Sequence, residues 1–325
     1  MAMTTAPDII LALAALRPAE AIAPPPALLD RTALDVPLAD PDAVDHWAGQ
    51  VLAGQSLPGG LRIALDLDDT LLHGSQTCPA LWDRGGYGDP AIVPGWRYDR
   101  MQVSWRGRLH LLRGRPRYDA VDRRHHPALT APRIVVTPDL PMLSVLGWLQ
   151  TRGAVLGLAT ASARTRVDLL LDRLPALRAL VGPRVMAAED LAHRLTTAPD
   201  DADPLWSAAA PAHAARPLSL AAKTPWALAP LWDGAGYDLL VDDSAVTAAL
   251  MDTAGLGDRL LHIPGGALSP AAGWANAAAL LRRLAGLPAL DSIPAPPPVG
   301  ALRIEDPLYW PCLHLSDQFE DPAHG

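Results

Sequence analysis

Lysine is almost missing from this chain: of 27 basic residues, Lys223 is the single lysine and all the others are arginine. Cysteine is nearly missing too. Cys78 and Cys312 are too few for a disulfide framework or a zinc cage. No apolar run approaches the ~18 residues that a membrane-spanning helix needs. The apolar octet at 9–16 has no positive segment before it and no clear cleavage site after it, so it is not read as a signal peptide. A cytoplasmic location without a membrane partner is the resulting expectation. What the chain does have is apolar material: 50% of its 325 residues are hydrophobic, enough for one large or two small domains.

The most informative stretch is Leu61-Arg-Ile-Ala-Leu-Asp66-Leu-Asp68-Asp69-Thr70-Leu71. Its apolar beginning reads as a buried strand, and the carboxylates follow the carboxyl end, where open α/β sheets bind ligands. Asp66 and Asp68 stand two apart and share one face in extended geometry. Adjacent carboxylates repel, and a divalent cation or a shared proton relieves the repulsion. An acidic turn after a strand is the plain alternative, and Asp69 reads as a turn residue.

A lysine retained in an otherwise lysine-free chain suggests a need for a compact point charge, which the planar fork of arginine does not supply. Lys223 precedes Thr224-Pro225, which reads as a helix start with Thr224 as N-cap. A cation at a helix N-terminus is unfavourable unless an anion joins it. Two further apolar runs end in polar residues. One is 154–159, closed by Thr160, with Ser162 read as N-cap of a helix reaching Leu174; the other is 237–241, closed by Asp242-Asp243.

In this order (strand-DxDxT, strand-Thr, Lys at a helix start, strand-DD) the chain resembles the haloacid-dehalogenase (HAD) superfamily over about residues 60–285. The resemblance implies an α/β fold: a three-layer α/β/α Rossmann-like core with a parallel sheet and a small β-rich insertion after the first motif. It also implies roles. Asp66 would be the nucleophile and a metal ligand. Asp68 would be the general acid and then the base, and would lend its backbone carbonyl to the metal. Thr160 would bind a phosphoryl oxygen, and Lys223 would neutralise the phosphoryl group and hold Asp66. Asp242 or Asp243 would hold Mg²⁺, and either could orient the other. A carboxyl residue at position 68 is the phosphatase and phosphotransferase pattern; dehalogenase members lack an acid/base residue there. Asp66-Leu-Asp-Asp-Thr-Leu-Leu-His73 also looks like the opening of the RNA-polymerase C-terminal-domain phosphatases, although Thr137-Pro138 stands where that branch usually has Arg-Pro. That finer likeness carries over only an open active site.

Around this core the chain divides into an Ala/Pro-rich arm at 1–57, a catalytic domain at 58–288 and a tail at 289–325 that begins Pro-rich and ends as irregular chain. Expected helices are 40–53, 140–149, 243–251 and 272–284, with a strand at 259–263. The catalytic domain carries insertions at 74–136 and 182–219, the second read as loop-rich. Between Leu72 and Arg133 there are 11 Arg and 5 Asp, a positive stretch in a chain of net charge −8. Trp82, Tyr87, Trp96, Tyr98, Trp105 and Tyr118 are interleaved with the arginines, and 101–111 alternates like a β-hairpin. Such a surface would attract a nucleic acid or a phosphoprotein. Equally, the arginines could be a solvated face in an arginine-biased protein. His73 is a candidate substrate contact; His125-His126 are not read as metal ligands.

The leading expectation is a Mg²⁺-dependent phosphomonoesterase acting on a small or macromolecular phosphoester through an aspartyl-phosphate. The alternatives are a phosphotransferase using the same residues, and a non-catalytic module that binds nucleic acid or phosphoprotein.

Overall fold

A computed structural model describes residues 30–76, 101–104, 109–111, 134–162, 164–196, 217–218, 223–263 and 269–306. The arginines and aromatic residues of the first insertion, His125, His126 and both cysteines lie outside the described residues.

The core is a five-stranded, all-parallel sheet in the order β10-β9-β1-β6-β7. Its strands are β1 (Arg62–Leu65), β6 (Val155–Ala159), β7 (Val185–Met186), β9 (Leu239–Asp242) and β10 (Leu260–His262). They read as unbroken apolar runs because both faces are covered. Alternate side chains enter two separate cores: Ile63, Leu65, Leu156, Leu158, Leu239 and Val241 on one face, Ala64, Ala159 and Leu240 on the other.

The first core receives the apolar sides of α1 (Pro41–Val51), α2 (Leu140–Thr151), α3 (Arg164–Arg173), α4 (Pro175–Val181) and α7 (Pro270–Leu284). At its centre Trp47 of α1 meets Trp274 of α7 edge to face, with ring centroids 4.6 Å apart. The second core holds Leu191 of α5 (Ala188–Thr196), Met251 of α6 (Ala245–Thr253), and Leu231 and Trp232 of a 3₁₀ turn at Ala229–Trp232.

Helix starts are chemically specified. Asp40, Asp139, Ser244 and Ser269 each accept a backbone N–H in the first turn of α1, α2, α6 and α7. Proline occupies the first turn of α1, α2 and α7, where its missing N–H costs nothing. The expected arm helix is therefore present and belongs to the main core.

Gly157 in β6 is a close approach. A methyl group there would come within 3.0 Å of the Trp232 ring and 3.2 Å of Leu231. Gly157→Ala is expected to destabilise the fold by about 1–3 kcal/mol through overpacking, read as a lower denaturation midpoint.

Two small antiparallel sheets complete the fold. β5 (Ile134–Pro138) lies between β2 (Leu72–Gln76) and β11 (Ile304–Glu305). The expected hairpin forms from β3 (Met101–Ser104) and β4 (Leu109–Leu111), and β8 (Pro217–Leu218) from the second insertion pairs with β3.

Two expectations are corrected, on residues 182–196 and on the helix after Thr224. Residues 182–196, read as part of a loop-rich insertion, supply β7 and α5 of the core; a two-residue strand is too short to leave a periodic signal. The Pro-rich start of the tail packs Leu290, Ile293, Val299 and Leu302 on the main core and leads into β11; its expected irregular end, at 307–325, lies outside the described residues. The helix expected through Leu174 after an N-cap at Ser162 is α3, and it is followed by α4. The helix expected after Thr224 is one turn, in which Thr224 Oγ1 accepts from Ala227 N–H at 3.2 Å, and it passes into the 3₁₀ turn containing Pro230. Among the described residues no helix is long and apolar enough to cross a membrane.

Candidate active site

Strand order locates the site. From β1 the chain runs outward through β6 to β7, then returns to place β9 and β10 on the other side of β1. The reversal point lies between β1 and β9, and the crevice beyond their carboxyl ends is where such sheets bind ligands. Asp66 directly follows β1, and Asp242 closes β9.

Lys223 joins them. Its ammonium Nζ donates to Asp66 Oδ1 at 2.6 Å and to Asp242 Oδ2 at 2.7 Å. All three side chains are buried. The Tyr237 hydroxyl donates to the Lys223 carbonyl at 2.6 Å and fixes the lysine backbone. The second oxygen of Asp242 accepts from Ser244 N–H at 2.8 Å. Asp243 is half-buried, and Thr70 Oγ1 donates to it at 3.4 Å. Asp66, Asp242 and Asp243 each offer a carboxylate oxygen, and these oxygens lie within 4.8 Å of one another.

Among the described residues the cluster is short of positive charge. Burial pushes the Asp66 carboxyl well above its usual range; Lys223 opposes this, while Asp242 and Asp68 add to it. Burial, then the charges of Asp69 and Asp242, push Asp243 up to about 6. Burial alone would lower the Lys223 ammonium, but Asp66 and Asp242 outweigh it and hold the lysine charged. Among the described residues one cation thus serves an all-oxygen set of three carboxylates, a donor set that suits a hard divalent ion.

Asp68 has a different environment. Arg166, from the first turn of α3, grips it with both arms: Nη2 to Oδ1 at 2.6 Å and Nη1 to Oδ2 at 2.8 Å. Ser162 Oγ donates to Oδ2 at 2.5 Å and accepts from Arg166 Nη1. Arg166 Nε donates to Asp306 Oδ2 at 2.7 Å. Burial pushes the Asp68 carboxyl up, but the Arg166 charge and these hydrogen bonds outweigh it and hold the group below its usual range. Its carboxylate is not one of the clustered three, and the expected ligand from Asp68 was its carbonyl. Asp69, read as a turn residue, adopts φ +57°, a conformation that aspartate tolerates better than most.

Thr160 leaves the same sheet edge as Asp66, since Leu65 lies opposite Leu158. It is buried, and its hydroxyl accepts from Ser162 N–H at 3.1 Å. His73, a candidate substrate contact, is instead buried, with Nε2 3.2 Å from Asp139 Oδ2, because β2 carries it beneath the start of α2.

Sequence reasoning missed three contributors. Arg166 looked like one arginine among many, Ser162 like a helix cap, and Asp306 like part of a loose tail. The only available signal was the i, i+4 spacing of Ser162 and Arg166, which helices produce routinely.

Compared with family models, curated proteins and solved structures, the chain matches none.

Proposed function

We propose that this chain is a Mg²⁺-dependent phosphomonoester hydrolase of HAD type, acting through a phosphorylated aspartate. One observation carries the reading: the single lysine bridges Asp66 and Asp242 at the reversal point of a parallel sheet, with Asp243 beside them. Separate chain segments thereby supply a nucleophile, a compact cation and cation-binding oxygens in one place, as phosphoryl transfer requires. The aspartate motif that opens the site, Asp66-x-Asp68-x-Thr70, supports the same reading.

Lys223 holds Oδ1 of Asp66, so Oδ2 is the oxygen that attacks phosphorus. The bond from phosphorus to the ester oxygen breaks as the bond to Asp66 forms, and Asp68 in its protonated form supplies the leaving oxygen with its proton. A water then attacks phosphorus, giving a proton to Asp68, and the bond to Asp66 breaks to release inorganic phosphate. Lys223 screens the phosphoryl charge throughout. Thr160, at the same sheet edge, is the candidate hydroxyl for a phosphoryl oxygen. Asp66 and Asp243, with Asp242 directly or through water and the Asp68 carbonyl, would hold Mg²⁺, which neutralises phosphoryl oxygens when bound. The Arg166 pair favours ionised Asp68, the form needed to activate water. Esters with good leaving groups, which need least protonation, are therefore the expected best substrates.

The test is phosphate release from p-nitrophenyl phosphate. Turnover that requires Mg²⁺ supports the reading; turnover undiminished in EDTA, or none with any phosphomonoester, sinks it.

Cation binding should depend on pH through Asp243. Its carboxyl is raised from near 4 to about 6, so without a cation it favours the folded state at low pH, and that contribution is lost as pH rises through about 6. A cation competes with the same proton. Mg²⁺ affinity by calorimetry is expected to fall below pH 6, with Asp243 adding up to about tenfold per pH unit to whatever proton the buried Asp66 releases, and Asp243→Asn should remove the Asp243 part of that slope.

A further inference from the structure

The site contains a second cation between two carboxylates. Lys223 bridges Asp66 to the fully buried Asp242; Arg166 bridges Asp68 to Asp306. In the second set the exposure is graded: the Asp68 side chain is 28% exposed, Arg166 1% and Asp306 0%. The carboxylate that can meet water is thus held by groups that cannot. Asp306 stands 140 residues beyond Arg166, directly after β11, whose pairing with β5 (Ile304 opposite Val136) fixes it.

The lone-pair count is informative. Among the described residues Asp68 Oδ2 accepts from both Ser162 and Arg166, and Oδ1 accepts from Arg166. A carboxylate offers about four such positions, so Oδ1 retains one for a water proton. A guanidinium fork sets the carboxylate plane as well as its position, which an ammonium cannot do. Buried ion pairs are a weak source of stability, so stability alone does not account for this arrangement.

We propose that Arg166, anchored by Asp306 and joined by Ser162, is a positioning residue that holds Asp68 as the base for hydrolysis of phosphorylated Asp66. The inference rests on the phosphomonoesterase reading. It makes the segment that ends in β11, outside the expected catalytic domain, part of the active site. In the step concerned, water oxygen bonds to phosphorus, its proton passes to Asp68 Oδ1, and the phosphorus–Asp66 bond breaks.

Rapid-mixing kinetics with p-nitrophenyl phosphate tests it. Nitrophenol release reports phosphorylation of Asp66, and the steady state reports its hydrolysis. Arg166→Lys is expected to keep an initial burst of about one nitrophenol per enzyme while the steady-state rate falls about 100-fold. Asp306→Asn, nearly isosteric, should show the same pattern with about a tenfold loss. Asp68→Asn should also burst, and adding Arg166→Lys to it should cost little more, because the two act as a unit. Thermal unfolding accompanies each variant. If Arg166→Lys does not fold, Asp306→Asn and Ser162→Ala are judged by the same criteria. Unchanged steady-state rates, burst and steady state falling together, or multiplicative losses in the double variant would overturn the inference while leaving the phosphatase reading standing. Absence of Asp66-dependent turnover in the unaltered protein overturns both.

Discussion

Asp66→Asn is expected to reduce phosphate release by about 10⁴–10⁶-fold, the scale seen when a covalent nucleophile is removed. It should also abolish labelling of the protein by a phosphate donor, because no other described carboxylate is held toward the crevice by Lys223 except the fully buried Asp242. Stability should move the other way. The Asp66 carboxyl is raised by burial in the folded state, so whatever it contributes to stability is present at low pH and lost as pH rises through its folded value. Asparagine keeps the shape, removes one of two carboxylates competing for Lys223, and leaves the Lys223–Asp242 pair intact. In EDTA the variant should melt at or above the temperature of the unaltered protein, with a margin that grows toward alkaline pH. Retained turnover would remove Asp66 from its role, and a lower melting temperature would show that the buried carboxylate is well compensated.

Lys223→Met is expected to fail in both respects. Turnover is lost because the phosphoryl charge and Asp66 both lose their cation. The fold loses about 3–5 kcal/mol at neutral pH, since two buried carboxylates remain without their shared partner. The deficit should shrink as pH falls, when Asp66, already raised by burial, takes up its proton, and it should shrink when Mg²⁺ is added. Urea unfolding at pH 5 and 8, with and without Mg²⁺, reads both effects. Lys223→Arg should recover part of the stability and little activity, because the guanidinium is wider than the ammonium that lies 2.6 and 2.7 Å from its two carboxylates. The opposite stability signs of the two variants follow from one feature: among the described residues this cluster holds more negative than positive charge.

The parts of this site legible in sequence are those whose chemistry is local. Asp66, Asp68 and Thr70 follow an apolar run, Asp242-Asp243 follow another, and Lys223 stands out because no other lysine exists. Each segment carries its own signal, so composition and spacing sufficed. The helices were legible for a similar reason, from apolar residues at helical spacing; the structure adds that Asp40, Asp139, Ser244 and Ser269 cap their starts through bonds only a few residues long. The α/β class was what the family resemblance implied, and the five-stranded parallel sheet flanked by helices agrees with it.

The remainder depended on the fold bringing distant segments together. That Asp66 and Asp242 flank the reversal point, and that one ammonium spans both, is a matter of strand order, which no short window of residues records. His73 reads as a cleft residue by its closeness to Asp68 in the chain, yet β2 turns it under Asp139. The hold on Asp68 needed a helix residue, Arg166, and a tail residue, Asp306, to meet in a buried pocket. From the sequence alone came the candidate groups, Asp66, Asp68, Lys223 and Asp242-Asp243, with roles that only a family resemblance implied, since functional-group chemistry resides in single side chains. Which carboxylate each cation grips, and hence which one sits high and which low in its proton affinity, was decided only by tertiary packing, because burial and charge separation are properties of the assembled fold.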